Sequence, residues 1–310
     1  MNDFCQALTE KNTTKLLNAP KSDIHNHSVK GCNKAWLEER LNHKFPDTPD
    51  RFDGLDGMQK WFTGSIKPYC TGAEGIILRW EGAFAEAKRN NIVRLVMNFG
   101  PDEIELVGGM KSFERIITDF YYKNCPDTRF EPEISYISSC DVDREKGRIE
   151  EYISSGFFKS IDVCGGENIR PFEDFIPLYK KAEKYHLVKK MHVGESGSAE
   201  DVRRAVEVLG LSEIHHGINA ANSKEVMRFL VENGIQLNVC PSSNVMLGYA
   251  DSYKEHPIKI LYENGVKLTI NTDDLLIFDS SIENEYFLLY EAGTLSAKQL
   301  DEIRMNGLKG

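Results

Sequence analysis

The chain has little of what several protein classes require. Its seven cysteines (Cys5, Cys32, Cys70, Cys125, Cys140, Cys164, Cys240) are odd in number and contain no C-x-x-C pair. That excludes a disulfide framework and a zinc ribbon, leaving reduced thiols that mostly pack. Basic residues are outnumbered, 38 Lys plus Arg against 48 Asp plus Glu, for a net charge of -10. A sequence-independent grip on nucleic acid phosphates is thereby excluded, and a neutral or small substrate fits better. No run approaches the roughly 18 apolar residues that span a bilayer. Residues 1–20 are polar and lack a signal-peptide core, so no membrane association and a cytoplasmic location are expected. Internal repeats, low-complexity tracts and linkers are also missing, and one domain over residues 1–310 is expected.

What is present is a regular alternation. Apolar, β-branched runs recur at residues 22–27, 92–99, 133–139, 158–164, 188–193, 213–216, 235–239 and 267–271. Segments of helical period lie between most of them, at 81–90, 113–124, 172–185, 199–209, 223–233 and 257–264. Eight strand-then-helix units predict a parallel sheet closed into a (β/α)8 TIM barrel, a fold that reaches this length as one domain. Ser198 and Ser223 stand where N-caps belong, and Asn233-Gly234 and Asn264-Gly265 where helices end. Residues 28–72 break the alternation. Rich in Asp, Gly, Pro and aromatics (Phe45, Phe52, Trp61, Phe62, Tyr69), they predict a long excursion after the first strand that forms a lid. The last helical pattern, 297–307, ends close to Gly310, so an outer-ring element that closes the barrel is expected to be missing.

Four islands at predicted strand ends carry the chemistry. In Asp23-Ile24-His25-Asn26-His27 the histidines are two apart on a strand, so both point to one face, close enough to share an ion, and Asn26 points away. His-x-His also occurs on wet strand ends. His192 is followed by Gly194, which lets the chain turn before Glu195, suiting a ligand followed by a proton carrier. His215 and His216 precede Gly217; only one is expected to face the axis, and the reading favours His216. Asp273 and Asp274 end the last run on opposite sides, and two buried like charges are costly without a cation or donor. An Asp pair capping the next helix is the plainer alternative. Three imidazoles and a carboxylate favour zinc, with iron or manganese compatible, and the reaction class is metal-assisted hydrolysis.

These residues resemble the adenosine deaminases of the amidohydrolase superfamily over most of residues 155–310. His192-Val193-Gly194-Glu195 resembles that family's His-Ala-Gly-Glu, His216-Gly217 its His-Gly, and Cys240-Pro241-Ser242-Ser243-Asn244 its Cys-Pro-x-Ser-Asn. His256-Pro257 is similar to the following His-Pro, and Asn271-Thr272-Asp273-Asp274-Leu275-Leu276-Ile277-Phe278 to its Asn-Thr-Asp-Asp-Pro-Leu-Ile-Phe. The resemblance implies one zinc on His25, His27, His192 and Asp273. It implies that Glu195 protonates purine N1 while water attacks C6, that His216 orients or deprotonates that water, that Asp274 hydrogen-bonds N7 and that the Gly165 N–H meets N3. Adenosine or 2'-deoxyadenosine would then yield inosine or 2'-deoxyinosine and ammonia.

Three departures stand out. After His27 the family has Leu, an acid or amide, and Gly; this chain has Ser28-Val29-Lys30-Gly31, one residue longer and without an acid. Leu275 replaces a proline, and Val96-Met97-Asn98-Phe99 lacks an arginine often found there. These changes leave adenine or a modified nucleoside as an alternative substrate, and a non-catalytic purine-binding barrel as an alternative of another class. The His-x-Glu and Pro-Cys-x-x-Cys pattern of the other zinc deaminases is absent.

Overall fold

The computed structural model describes residues 2–309. Its strands are β1 (Lys21–Asp23), β2 (Ile92–Phe99), β3 (Arg129–Ile137), β4 (Ser160–Cys164), β5 (Val188–Lys189), β6 (His192–Val193), β7 (Glu213–His216), β8 (Gln236–Val239) and β9 (Lys267–Ile270). All pair in parallel, in the orders β1-β2-β3-β4-β5 and β6-β7-β8-β9. The predicted fifth strand is thus broken into β5 and β6. Its middle still bridges both groups, because Lys190 N–H donates to the Ile161 carbonyl at 2.9 Å and Met191 accepts from His215 N–H at 2.9 Å. The other edges meet just past β1 and β9, where Asp273 N–H donates to the His25 carbonyl (2.9 Å) and His27 N–H to the Asp273 carbonyl (3.3 Å). The result is the TIM barrel read from the alternation.

The strands have two faces of opposite character. On β3 and β4, Ile134, Tyr136, Ile161 and Val163 join the apolar layer under the helices, while Glu133, Ser135, Ser160 and Asp162 bond to one another inside. On β8 and β9, Leu237, Val239, Leu268 and Ile270 face the helices, and Asn238 accepts from Thr269 at 2.8 Å within. The period of two therefore puts hydrophobic stabilisation outside the barrel wall and a polar network on its axis.

Most expected helices are found, and both serines cap as predicted, with Ser198 in a full capping box. The helix Ala297–Lys309 corrects one expectation. It packs on β9 and β1, with Leu300 and Ile303 buried and Asn306 Nδ2 donating to the Leu268 carbonyl at 3.1 Å, so this seam does carry an outer helix.

The excursion at 28–72 holds a 3-10 turn, Ser28–Lys30, and two helices, Lys34–Leu41 and Gly54–Ser65. Its Leu37, Phe45, Phe52, Met58, Phe62 and Ile66 form a second apolar cluster with Leu247, Leu276, Ile277 and Phe278, which follow β8 and β9. Phe52 N–H also donates to the Met246 carbonyl at 2.7 Å. The segment thereby sits against the loops at the C-terminal ends of the strands. No helix among the described residues is long and apolar enough to cross a membrane.

Candidate active site

At the C-terminal ends of the strands, donor atoms of His25, His27, His192 and Asp273 all lie within 4.8 Å of one another. His25 Nε2 and His192 Nε2 are 2.9 Å apart, and His27 Nε2 is 3.1 Å from Asp273 Oδ1. The far side of each ring explains what this closeness needs. His25 Nδ1 lies 3.1 Å from the Asn238 carbonyl, and His192 Nδ1 lies 3.0 Å from Asp162 Oδ1. Both acceptors call for a proton on Nδ1, which leaves two bare Nε2 lone pairs facing each other. Such a pair is unfavourable alone and suits a shared cation. The donor set fits zinc, and Asp162, itself accepting from Ser135 Oγ at 2.7 Å, fixes the tautomer of one ligand.

Two side chains reach this point only through unusual backbone. By strand alternation His215 faces the axis and His216 the helices, yet His216 has φ +63° and Asp273 φ +59°, both left-handed. That twist turns His216 inward, where its Nε2 is 3.8 Å from Asp273 Oδ2. The expectation that only one of the pair faces the axis is corrected: both do. His215 lies beneath, its ring 4.0 Å from that of His25 and its Nε2 3.1 Å from Glu133 Oε1. Left-handed conformations in non-glycine residues cost about 1–3 kcal/mol each and persist where surroundings over-determine them.

Glu195 stands beside His216, its Oε1 3.4 Å from Nδ1. Asn244 Nδ2 (3.2 Å) and Ser243 Oγ (3.5 Å) both donate to that same oxygen, leaving Oε2 to carry a proton. Burial, reinforced by the Asp273 and Glu167 carboxylates, pushes the Glu195 carboxyl well above its usual range, so it is an acid at neutral pH. Burial also takes His216 down to about 3, so the imidazole is neutral. At 14 % exposure the Glu195 side chain is sheltered but reachable.

The positioning groups were harder to read in the sequence. Glu167 accepts the backbone N–H groups of Gly194 (2.7 Å), Glu195 (2.8 Å) and Ser196 (2.6 Å), clamping the turn that presents the acid. Nothing in its local sequence marks it. Asn244 also reaches His216 Nδ1 (3.2 Å) and is met by His256 Nε2 (3.3 Å), which explains the Ser-Asn and His-Pro stretches. Gly165 follows β4 with φ +98° and lines a recess with Ser138, His192 and Val193. Asp274 is buried at the edge of the cluster, paired with Lys30 at 2.8 Å, a partner the sequence did not suggest. All seven cysteines are free thiols, as read.

The adenosine deaminase family model matches residues 143–310. A putative adenosine/adenine deaminase from Treponema pallidum is 33% identical over 290 residues, covering 89% of this chain and 93% of that protein. The chain belongs to the adenosine deaminase family. As a member it is a hydrolase of C–N bonds, and the binding-only alternative falls away. The fold agrees with solved deaminases. An adenine deaminase from Arthrobacter aurescens superposes with a TM-score of 0.80 at 18% identity, covering 94% of this chain and 93% of that one. An amidohydrolase from Burkholderia ambifaria, solved with bound zinc, gives a TM-score of 0.76 at 16% identity, covering 100% of this chain and 88% of that one.

Proposed function

We propose that this protein hydrolytically deaminates adenosine or 2'-deoxyadenosine, with one zinc ion held by His25, His27, His192 and Asp273. The observation that carries the reading is a protonated carboxyl, Glu195, poised with a neutral His216 at the edge of a four-donor metal cluster. Zinc bound there supplies a water-derived nucleophile near neutral pH.

The protein's own groups divide the remaining work. Glu195 gives its proton from Oε2 to purine N1, relieving the negative charge that builds on the ring as oxygen bonds to C6. His216 is reluctant to hold a proton, so it orients the water rather than storing charge. The N–H of Gly165 meets N3, and Asp274 faces the N7 side of the ring. The C6–N6 bond then breaks, ammonia leaves and a 6-oxopurine remains. Residues 28–72 act as a lid over this site, in line with their contacts to the loops after β8 and β9. Adenine is the second candidate substrate, favoured by the loop after His27, which lacks an acidic residue for a sugar.

Purified protein supplied with zinc is expected to convert adenosine to inosine, followed by the change in ultraviolet absorbance. Absence of turnover on every aminopurine in a panel refutes the reading. Glu195→Gln should retain zinc while kcat falls by roughly 10² or more; an unimpaired variant would remove Glu195 from the role.

A further inference from the structure

The loop after His27 places a cation at the mouth of the barrel. Its extra residue is absorbed by the 3-10 turn Ser28–Lys30, in which Lys30 N–H donates to the His27 carbonyl at 2.8 Å. Gly31 makes this turn fit, since a Cβ there would lie 2.3 Å from Asn26 Oδ1. The turn is held from outside by Arg79 Nη1 on the Val29 carbonyl (2.9 Å) and by Trp80 Nε1 on Ser28 Oγ (3.1 Å). So fixed, it sends the Lys30 side chain to Asp274, with Nζ 2.8 Å from Oδ2 and 5.7 Å from the centre of the Phe62 ring.

The pair is incomplete. Asp274 Oδ1 is buried without a hydrogen-bond partner, and the Lys30 ammonium has more donors than this one contact uses. An orphaned acceptor costs about 1–3 kcal/mol, which a ligand that completes it returns. A free acceptor and a free donor therefore stand side by side, next to the acid that serves N1. The outer edge of a 6-aminopurine offers the complement, an N7 acceptor beside an N6 donor. A carboxylate paired with an ammonium has no proton to offer N7 and would set acceptor against acceptor.

Resting on the aminopurine reading above, we propose that Lys30 Nζ donates to N7 while Asp274 Oδ1 accepts from the 6-amino group. Lys30 is then a specificity residue that selects rings bearing an unsubstituted N7. The same arrangement separates substrate from product. After hydrolysis position 6 carries an oxygen, and an acceptor then faces Asp274. The carboxylate that helped bind the amine repels the product.

The test compares kcat/KM for adenosine and 7-deazaadenosine, which lacks only the N7 acceptor, in the zinc-loaded wild type, Lys30→Met and Lys30→Arg. The wild type should prefer adenosine by roughly 10- to 100-fold. Lys30→Met should lose about that factor on adenosine and little on 7-deazaadenosine, bringing the ratio towards one, and Lys30→Arg should keep part of the preference. An active Lys30→Met with an unchanged ratio overturns the proposal. So does a wild-type ratio near one, which needs no variant to fold. Failure of the wild type on every aminopurine is a different result and sinks the functional reading itself.

Discussion

Each metal-facing histidine is set by a group behind it. Asp162 holds His192 through Nδ1, and the Asn238 carbonyl, with Cys240 Sγ at 3.2 Å, holds His25. Asp162→Ala should therefore weaken zinc binding about 10- to 100-fold, measured by competition against a chelator. Unaltered affinity would mean that the ring is oriented by its strand alone. Glu195 carries the pH sensitivity. Its pKa is raised by burial first and neighbouring carboxylates second, so the active, protonated form is lost as pH rises and the rate should fall on the alkaline side. His25, His27, His192, Glu195, His216, Asp273 and Asp274 were legible because a period of two or a strand-ending glycine announces them. Lys30, Glu167 and Asp162 were not. Each acts through a contact between segments, and no local pattern encodes which carboxylate a lysine or a turn will find.

Among the elements, strands β2, β4, β7, β8 and β9 fall close to the apolar runs that predict them, since parallel strands covered by helices leave a dense apolar signature. The break between β5 and β6 escaped, because Val188 to Val193 reads as one run while its backbone changes partner midway. In the excursion, Asn33 caps the helix Lys34–Leu41 through Trp36 N–H, a signal that was available. The helix Gly54–Ser65 was obscured by glycines at 54, 57 and 64. Trp36 and Trp61 both pack on this segment's cluster. If it closes over bound ligand, their fluorescence should change when a purine transition-state analogue is added to zinc-loaded protein. A flat titration, with binding verified by calorimetry, would leave the segment a static cover.

For the whole molecule, stability rests on the apolar layer outside the barrel wall and on charged pairs within it. Lys190, 2 % exposed, lies 3.0 Å from Glu133 and 3.6 Å from Glu213. Burial works against its charge, but the two carboxylates outweigh that and raise its pKa. Lys190→Met removes one partner and leaves Glu133 buried without its cation, which should cost about 3–5 kcal/mol. Urea unfolding is the measurement, and an unshifted midpoint would show that Glu133 is neutralised some other way. The same group stands under the metal cluster, since Glu133 also holds His215 against His25. The barrel itself was readable from alternation; this polar axis was not, because polar residues inside strands look, in one dimension, like solvent-facing ones.

The barrel's seam has a further meaning. Where its last strand returns to its first, two backbone hydrogen bonds join His25 and His27 to Asp273, and these three residues are also donors of the metal cluster. An ion shared by them is a clasp tying the beginning of the chain to its end, closing a loop nearly as long as the protein. A clasp of that kind acts chiefly on the unfolded chain, whose freedom it restricts, rather than by adding native contacts. The group proposed to activate water would thus also be what keeps the hoop from opening at its weakest join.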